Sequence, residues 1–327
     1  MIDAASSRDL RVAVIGATGV AGGQVAELLT ERNFPASEIM LFASEHGAAE
    51  TVAIGEEDRP VTELKGASDL AGFDIAFLAA PPSVAADIVR GRPGPVLIDM
   101  SAAVRGASSV PMAAPGFASN ERLSAIRRGD VITVPHPSAY ALAAILKALG
   151  ATPSFVAATL MLGASTGGKD EIDKLMEESA DLLNARLEIA DDEQQRAFNI
   201  YPADDETEII DMLTSQVHAM LGVAPHLVMR ALRVPIFYGT ALSIAIPAAP
   251  ESDAWVGRLR EAPGVMLIEE EMPPSVIDSA GQEAVVVSLY RNPHGAALWC
   301  VIDNARLAAL CAVWAAENLS LEAPNHL

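Results

Sequence analysis

The spacing of apolar residues changes character near the middle of the chain. Through residue 135, short apolar runs alternate with segments of helical period. Arg11 to Ile15 (RVAVI) predicts a buried strand that Gly16 ends. Val20 to Arg32 follows as a helix, with Val20, Val25, Leu28 and Leu29 on one face, and Asn33-Phe34-Pro35 stops it. Ile39 to Phe42, Asp74 to Ala79, Val96 to Asp99 and Val131 to Val134 are further short strands, and a helix starts near Ser83 after Pro81-Pro82. Short strands joined by helices imply right-handed crossovers and a mostly parallel sheet.

The second half reads differently. Phe155 to Leu162 predicts a long strand, Lys169 to Asn184 a helix, 188 to 205 a polar loop, and Glu206 to Leu221 another helix. Long strand-like runs then follow at Leu227 to Pro235, Thr240 to Pro247, Ala284 to Tyr290 and Ala297 to Ile302, before an apolar helix from Asn304 to Asn318. Long strands with few helices between them predict an α+β domain with an antiparallel or mixed sheet. The expected fold is therefore α/β: a Rossmann-like dinucleotide-binding domain over 1–135, completed by a C-terminal helix at 304–327, plus an α+β domain over 136–303. Its strands have too little helix to cover both faces, which implies a partner surface.

Composition narrows the function classes. The chain has 327 residues, 51% of them hydrophobic, which is enough for about two domains. Its formal net charge of −21 opposes binding to nucleic acid or to anionic membranes. The opening MIDAASSRDL has no signal-peptide pattern, and the longest apolar stretch, Ala297 to Ala316, is broken by Asp303, Asn304 and Arg306. Two cysteines, Cys300 and Cys311, show neither zinc-site nor redox-motif spacing. The six histidines (His46, His136, His218, His226, His294 and His326) show no metal-ligand spacing either. The expectation is a soluble cytoplasmic protein with no metal, no nucleic-acid partner and no membrane partner.

Candidate chemistry begins at Gly16-Ala17-Thr18-Gly19-Val20-Ala21-Gly22. These residues follow a strand directly and open a helix. Glycines there permit a tight turn and close approach of a pyrophosphate, while the helix N-terminus offers unpaired N–H groups and a partial positive charge. Gly16, Thr18, Gly19, Val20 and Gly22 are the candidate cofactor contacts; a tight turn that binds nothing is the other reading. After the second strand comes Ser44-Glu45-His46-Gly47. Glu45 suits a bare 2′-hydroxyl, and no Arg or Lys is present for a 2′-phosphate, so charge favours NAD slightly over NADP. Glu45 also reads as a solvated loop acid. The fold itself calls for no cofactor.

An ordered series of segments carries a family resemblance: GATGVAG, FASEHGA, VLIDMSAAVR, VITVPHPSAYAL, GASTGGKDEI, ALRVPIFYGTALSI and WCVIDNARLAALCAVWAAENL. In that order they resemble the aspartate-semialdehyde dehydrogenase family across nearly the whole chain. The resemblance implies a dinucleotide-binding domain, a dimerisation domain and a homodimer. It also implies chemistry in which a cysteine thiolate attacks an aldehyde carbonyl and a thioester forms during hydride transfer. The residues that matter most depart from the pattern. Pro137 stands at the cysteine of the family's Asn-Pro-Asn-Cys-Ser run, and proline offers no nucleophile. Thr240 stands at the histidine base that ends the family's Arg-x-Pro-x-x-x-Gly-His run, and a threonine takes no proton near neutral pH. Ala141 aligns with a substrate-orienting glutamine, Trp314 with a glutamine near the cofactor, and Glu206 to Met212 lacks the family's lysine.

Other positions are kept. Arg105 matches the arginine that grips phosphate or arsenate, Arg233 retains a guanidinium for a carboxylate, and Asn304 matches a residue near the nicotinamide amide. His136, beside the lost nucleophile, is a candidate to join Arg105 and Arg233 around a small anionic ligand, although a structural histidine is the commoner case. Ser138 is expected to cap a helix beginning near Ala139; a Ser138–His136 nucleophile is the alternative. The cysteines read as small buried hydrophobes. Three readings stay open: a family member that resembles paralogues lacking the cysteine, binding a dinucleotide without the dehydrogenase step; an active NAD(P)-linked oxidoreductase with altered chemistry; and a dimeric interaction protein without cofactor.

Overall fold

β1 (Arg11–Ile15) lies at the centre of the first sheet, and Val12, Ala13 and Val14 have no exposed surface. A computed structural model describes residues 10–320 of the chain, apart from 56, 102, 105–109, 119, 151, 187–193, 248–251 and 271. The chain divides into two units, 1–135 with 308–327, and 136–307.

In the first unit β1 leads to α1 (Val20–Glu31), β2 (Glu38–Ala43), β3 (Thr51–Ile54), β4 (Glu57–Glu63), β5 (Ile75–Leu78), α2 (Pro82–Gly91), β6 (Val96–Asp99), α3 (Asn120–Ser124) and β7 (Val131–Thr133). The sheet order is β3-β4-β2-β1-β5-β6-β7, parallel throughout except for the β3–β4 hairpin. The buried strands are the continuous apolar runs that a sheet covered on both faces requires. On one face Ile15, Phe42, Leu70, Phe73, Leu78, Ile88 and Leu97 form a core in which Phe42 and Phe73 meet edge-on at 5.8 Å.

β3 and β4 are additions to the expected sheet. β4 (EDRPVTE) is charged and β3 (TVAI) is only four residues long, which hid the hairpin, and Pro60 argues against a central strand. The register resolves the conflict: β4 pairs with β3 through 57–60 and with β2 through 61–63, so Pro60 pairs on one side alone.

The second unit runs through α4 (Pro137–Ala148), β8 (Phe155–Leu162), α5 (Lys169–Leu183), β9 (Tyr201–Pro202), α6 (Glu206–Leu221), β10 (His226–Arg233), β11 (Thr240–Pro247), α7 (Ser252–Glu261), β12 (Val265–Leu267), β13 (Val285–Asn292), β14 (Gly295–Ile302) and α8 (Asn304–Glu317), which continues into the first unit. The mixed sheet has the order β12-β13-β14-β11-β8-β10-β9. Register makes its two faces explicit. Met229, Ala158, Ile244, Leu298 and Leu289 form one row, in which the first four are buried. The adjacent row, Val228, Ala157, Ala245, Ala297 and Tyr290, points the other way and is largely exposed, with Val228 at 58% and Tyr290 at 66%.

Two expectations change here. α7 and β12 were not anticipated, because Gly257 and the charges of SDAWVGRLRE obscure the Trp255–Leu259 spacing that buries this helix. The helix after Pro135 begins at Pro137, not near Ala139. Among the described residues no helix is long and apolar enough to cross a membrane.

Candidate functional site

β1 delivers Gly16 at φ +80°, where a Cβ would stand 2.5 Å from the Ala79 carbonyl oxygen at the end of β5. The N–H groups of Gly16 and Ala17 donate to Phe42 O, and Gly19 N–H donates back to Gly16 O at 3.0 Å. Gly19 is the N-cap of α1 and brings no side chain to its first-turn donors; that turn contains no acid to compete with an anion for the positive end of the helix dipole. A Cβ on Gly22 would fall 2.1 Å from Gly16 O, so α1 meets the turn at backbone distance. The strand order reverses direction about β1, where α/β sheets open a crevice beyond their C-terminal ends. The shape and the exposed backbone donors of this cradle fit a dinucleotide pyrophosphate. The loop after β2 adjoins it: a Cβ on Gly47 would lie 2.9 Å from Thr18 Oγ1, and Glu45 is exposed.

Beyond β6, the fully buried Asp99 organises the next turn, accepting from Ser101 N–H, Ser101 Oγ–H and Val104 N–H at 2.9, 2.6 and 3.1 Å. Arg105 follows at once but lies outside the described residues; the expected C-terminal helix to 327 ends at Glu317, and 321–327 also lie outside the described residues.

In the second unit, Pro137 occupies the first position of α4. Its fixed φ and missing N–H suit that position. The N-cap is His136: its Nδ1 accepts from Ser138 N–H at 3.2 Å, and its own N–H donates to Gln216 Oε1 of α6 at 2.8 Å. The expectation that Ser138 caps the helix is therefore corrected. Ser138 is inside the helix, 1% exposed, and its hydroxyl has no partner among the described residues, so no Ser138–His136 nucleophile pair forms either. The cap belongs to the residue just before the Pro at the helix start, which is where backbone geometry puts it. The Thr240 hydroxyl is likewise fully buried, without a partner among the described residues.

Around Thr240 the backbone is held by a buried knot. Asn304 Oδ1 accepts from Ser165 Oγ–H at 2.9 Å and from Gly239 N–H at 3.1 Å. The backbone donor fixes which end of the carboxamide is oxygen and leaves the Asn304 NH2 group as its donor end. Cys300 and Cys311 are core residues, 0% and 1% exposed, and burial pushes both thiols above their ordinary range.

Arg233, at the end of β10, donates from Nη1 to Thr166 Oγ1 at 3.0 Å and from Nη2 to Asp205 at 3.3 Å. It lines a small pocket with Leu162, Glu171, Arg196 and Tyr201, and His136 is not part of that lining. Arg196 bonds Glu171 and Glu178, both at 3.0 Å. Burial pushes the Glu171 carboxyl up, but bonds from Arg196 and Lys174 outweigh it and hold it below its ordinary range. Burial raises the Tyr201 phenol, with Arg196 and Arg233 opposing. Sequence reasoning missed Arg196, Glu171, Tyr201 and Ser165. Arg196 and Tyr201 sit in a stretch that reads as polar loop, where QQRAFNIYP has neither period nor motif.

Fold and site together define a protein with a doubly wound nucleotide-binding unit and a mixed-sheet unit that frames Pro137 and Thr240. A model of the semialdehyde dehydrogenase NAD-binding domain matches residues 11–125, and one of the semialdehyde dehydrogenase dimerisation domain matches 142–307. A USG-1 protein homolog of Pseudomonas aeruginosa is 32% identical over 96% of this chain and 98% of its own. Aspartate-semialdehyde dehydrogenase of Shewanella violacea is 31% identical over 96% and 98%. Among solved structures, a probable aspartate-semialdehyde dehydrogenase from Pseudomonas aeruginosa has a TM-score of 0.82 at 30% identity, covering 94% of this chain and 98% of that one. Aspartate semialdehyde dehydrogenase II from Vibrio cholerae has a TM-score of 0.83 at 27% identity, with the same coverage. The chain belongs to the semialdehyde dehydrogenase family, with that family's NAD-binding domain.

Proposed function

We propose that this protein binds a nicotinamide dinucleotide and a small anion but does not carry out its family's phosphorylating dehydrogenation. The observation that carries the reading is Pro137 at the first position of α4, with Thr240 buried and unpartnered at the position of the base. A family nucleophile at residue 137 would have the α4 N-terminus to lower its pKa; the pyrrolidine ring has nothing to ionise. Neither cysteine substitutes, because both thiols are buried and their ionisation is opposed by burial.

Binding is supported where chemistry is not. The Gly16–Gly22 backbone, Thr18 and Val20 would hold the dinucleotide, which supplies a hydride acceptor when bound; Glu45, exposed beside them, favours NAD over NADP. Asn304 would donate through its fixed NH2 group, and Arg233, with Arg105 as a second candidate, would take the anion. A relative named a USG-1 protein homolog, not a dehydrogenase, is as similar as those named for the activity, which supports a paralogue in which the fold outlasts the reaction. The exposed row from Val228 to Tyr290 and the match to a dimerisation domain support a homodimer through the second unit. Unpaired thiols accord with a cytoplasmic setting.

The test is to titrate the protein with NAD and NADP by calorimetry and to assay aspartate semialdehyde with phosphate. Binding without turnover is expected. An appreciable NADP-linked rate would falsify the loss of activity, and failure to bind either dinucleotide would leave a dimeric interaction protein as the better reading.

A further inference from the structure

Asp205 holds the N-cap position of α6 but makes no cap bond. An aspartate there ordinarily accepts from the N–H of the second or third helical residue, here Thr207 or Glu208. Glu206 N–H donates to Ala203 O and Ile209 N–H to Asp205 O, each at 3.0 Å. The Thr207 and Glu208 amides have no protein partner among the described residues. The Asp205 carboxylate is turned to Arg233 instead, through one long contact of 3.3 Å between a half-exposed acid and a guanidinium that is 27% exposed. A single contact of this kind is weak, and the cap it forgoes is of comparable worth. Capping α6 would also take the Asp205 backbone from φ −98°, ψ 24° to the extended conformation of a capping residue.

The guanidinium is prepared for another acceptor. Of its five N–H donors, one goes to Thr166 Oγ1, which fixes its plane, and one to Asp205; the other three have no partner among the described residues. The pocket that Arg233 lines is small and partly open to solvent. An anion that takes the Nη2 end of Arg233 competes there with Asp205.

We infer that Asp205 is a two-position switch. In one position it pairs with Arg233; in the other, favoured when a small carboxylate takes the guanidinium, it caps α6. The inference rests on the reading of Arg233 as an anion site and adds how occupancy is passed on. α6 is the helix whose Gln216 holds the His136 N–H at the start of α4, so a ligand at Arg233 tightens the element that supports the Pro137 turn. By linkage, whatever stabilises the α6 cap also favours anion binding.

The experiment follows amide hydrogen exchange at Thr207 and Glu208 in the full-length protein, with succinate as the probe. Saturating succinate is expected to slow both amides about fivefold in the wild type, the effect of gaining an aspartate cap. In Asp205→Ala succinate still binds but leaves their exchange unchanged. In Arg233→Gln succinate no longer binds, and both amides already exchange slowly without it, because Asp205 has lost its competing partner. If Arg233→Gln leaves the two amides at the wild-type rate, there is no switch and the inference falls, whatever succinate does. If Arg233→Gln slows them but succinate neither binds the wild type nor changes its exchange, the anion reading of Arg233 has failed, and the inference fails with it.

Discussion

The glycine turn of the first unit and the Pro137–Thr240 region of the second are built from different parts of the polypeptide. The turn works through backbone: N–H groups aimed by φ +80° at Gly16 and by the contact of Gly22 with Gly16 O. Side chains there matter mainly by being absent. In the second region the backbone frame is also intact, with His136 capping α4 and the Ser165–Asn304–Gly239 knot beside Thr240. What that frame presents, though, is a ring and a hydroxyl without a partner. Function held in backbone geometry is lost only by disturbing the fold, whereas function held in one side chain is lost by a substitution the fold accommodates. Proline at the first position of a helix is such a substitution.

The largest test of this contrast restores a thiol. Pro137→Cys should place a sulfur at a helix N-terminus, partly exposed and with a lowered pKa. In the native protein it should be alkylated roughly 10³-fold faster than Cys300 or Cys311, whose reaction waits on rare unfolding. Thiol titration with and without denaturant reads the difference. Rapid labelling of either native cysteine in the wild type would break the comparison, because the second region would then hold an accessible nucleophile.

Next in size is the glycine turn itself. Gly→Ala in a helix ordinarily stabilises. At Gly22 the sign should reverse, because the new Cβ meets a backbone oxygen at 2.1 Å; a cost of ~2–3 kcal/mol in denaturant unfolding is expected, with loss of dinucleotide affinity. Pro137→Ala should cost under ~1 kcal/mol. Equal costs would mean that the two regions do not differ as argued.

The partnerless hydroxyls offer a smaller effect of opposite sign. Thr240→Val and Ser138→Ala each remove a buried polar atom that has no partner among the described residues, so each should raise stability by ~1 kcal/mol. A loss of stability in either would show that the hydroxyl is satisfied in solution, and would reopen Ser138 as a chemical group.

These contrasts also mark what the sequence could disclose. The first sheet was legible because buried parallel strands are continuous apolar runs, and the glycine turn because its conformation demands particular residues between a strand and a helix. β4 was not, since its pairing divides between two neighbours and permits charges and Pro60. The knot was not, because Ser165 and Asn304 are 139 residues apart and only the fold brings them together. Arg196 escaped for the same reason: its meaning comes from Glu171 and Glu178, one helix earlier, and from a pocket that no local pattern announces. Asp205 read as one acid among many, until the structure showed it at a helix start and facing away from it.

The smallest expected effect concerns that acid–arginine cluster and sets the second unit against the first by pH. Glu171 is held below its ordinary range when folded, by Arg196 and Lys174 against the opposing pull of burial. A carboxyl with a depressed folded pKa contributes stability that is complete above its unfolded value, near ~4.3 for glutamate, and lost as pH falls through the folded value. Because Glu171 is one-third exposed, screening limits the contribution to about 0.5 kcal/mol. Glu171→Gln should therefore lower stability slightly at pH 7 and flatten its decline below about pH 4.3. Unfolding of the second unit, followed by a probe at Trp255 or Trp299, should show the change, while the glycine turn should titrate as before. If the acid limb is unaltered in the variant, the Arg196 cluster is a solvated surface pair, and the second unit holds no more electrostatic order around Arg233 than the first holds around its glycines.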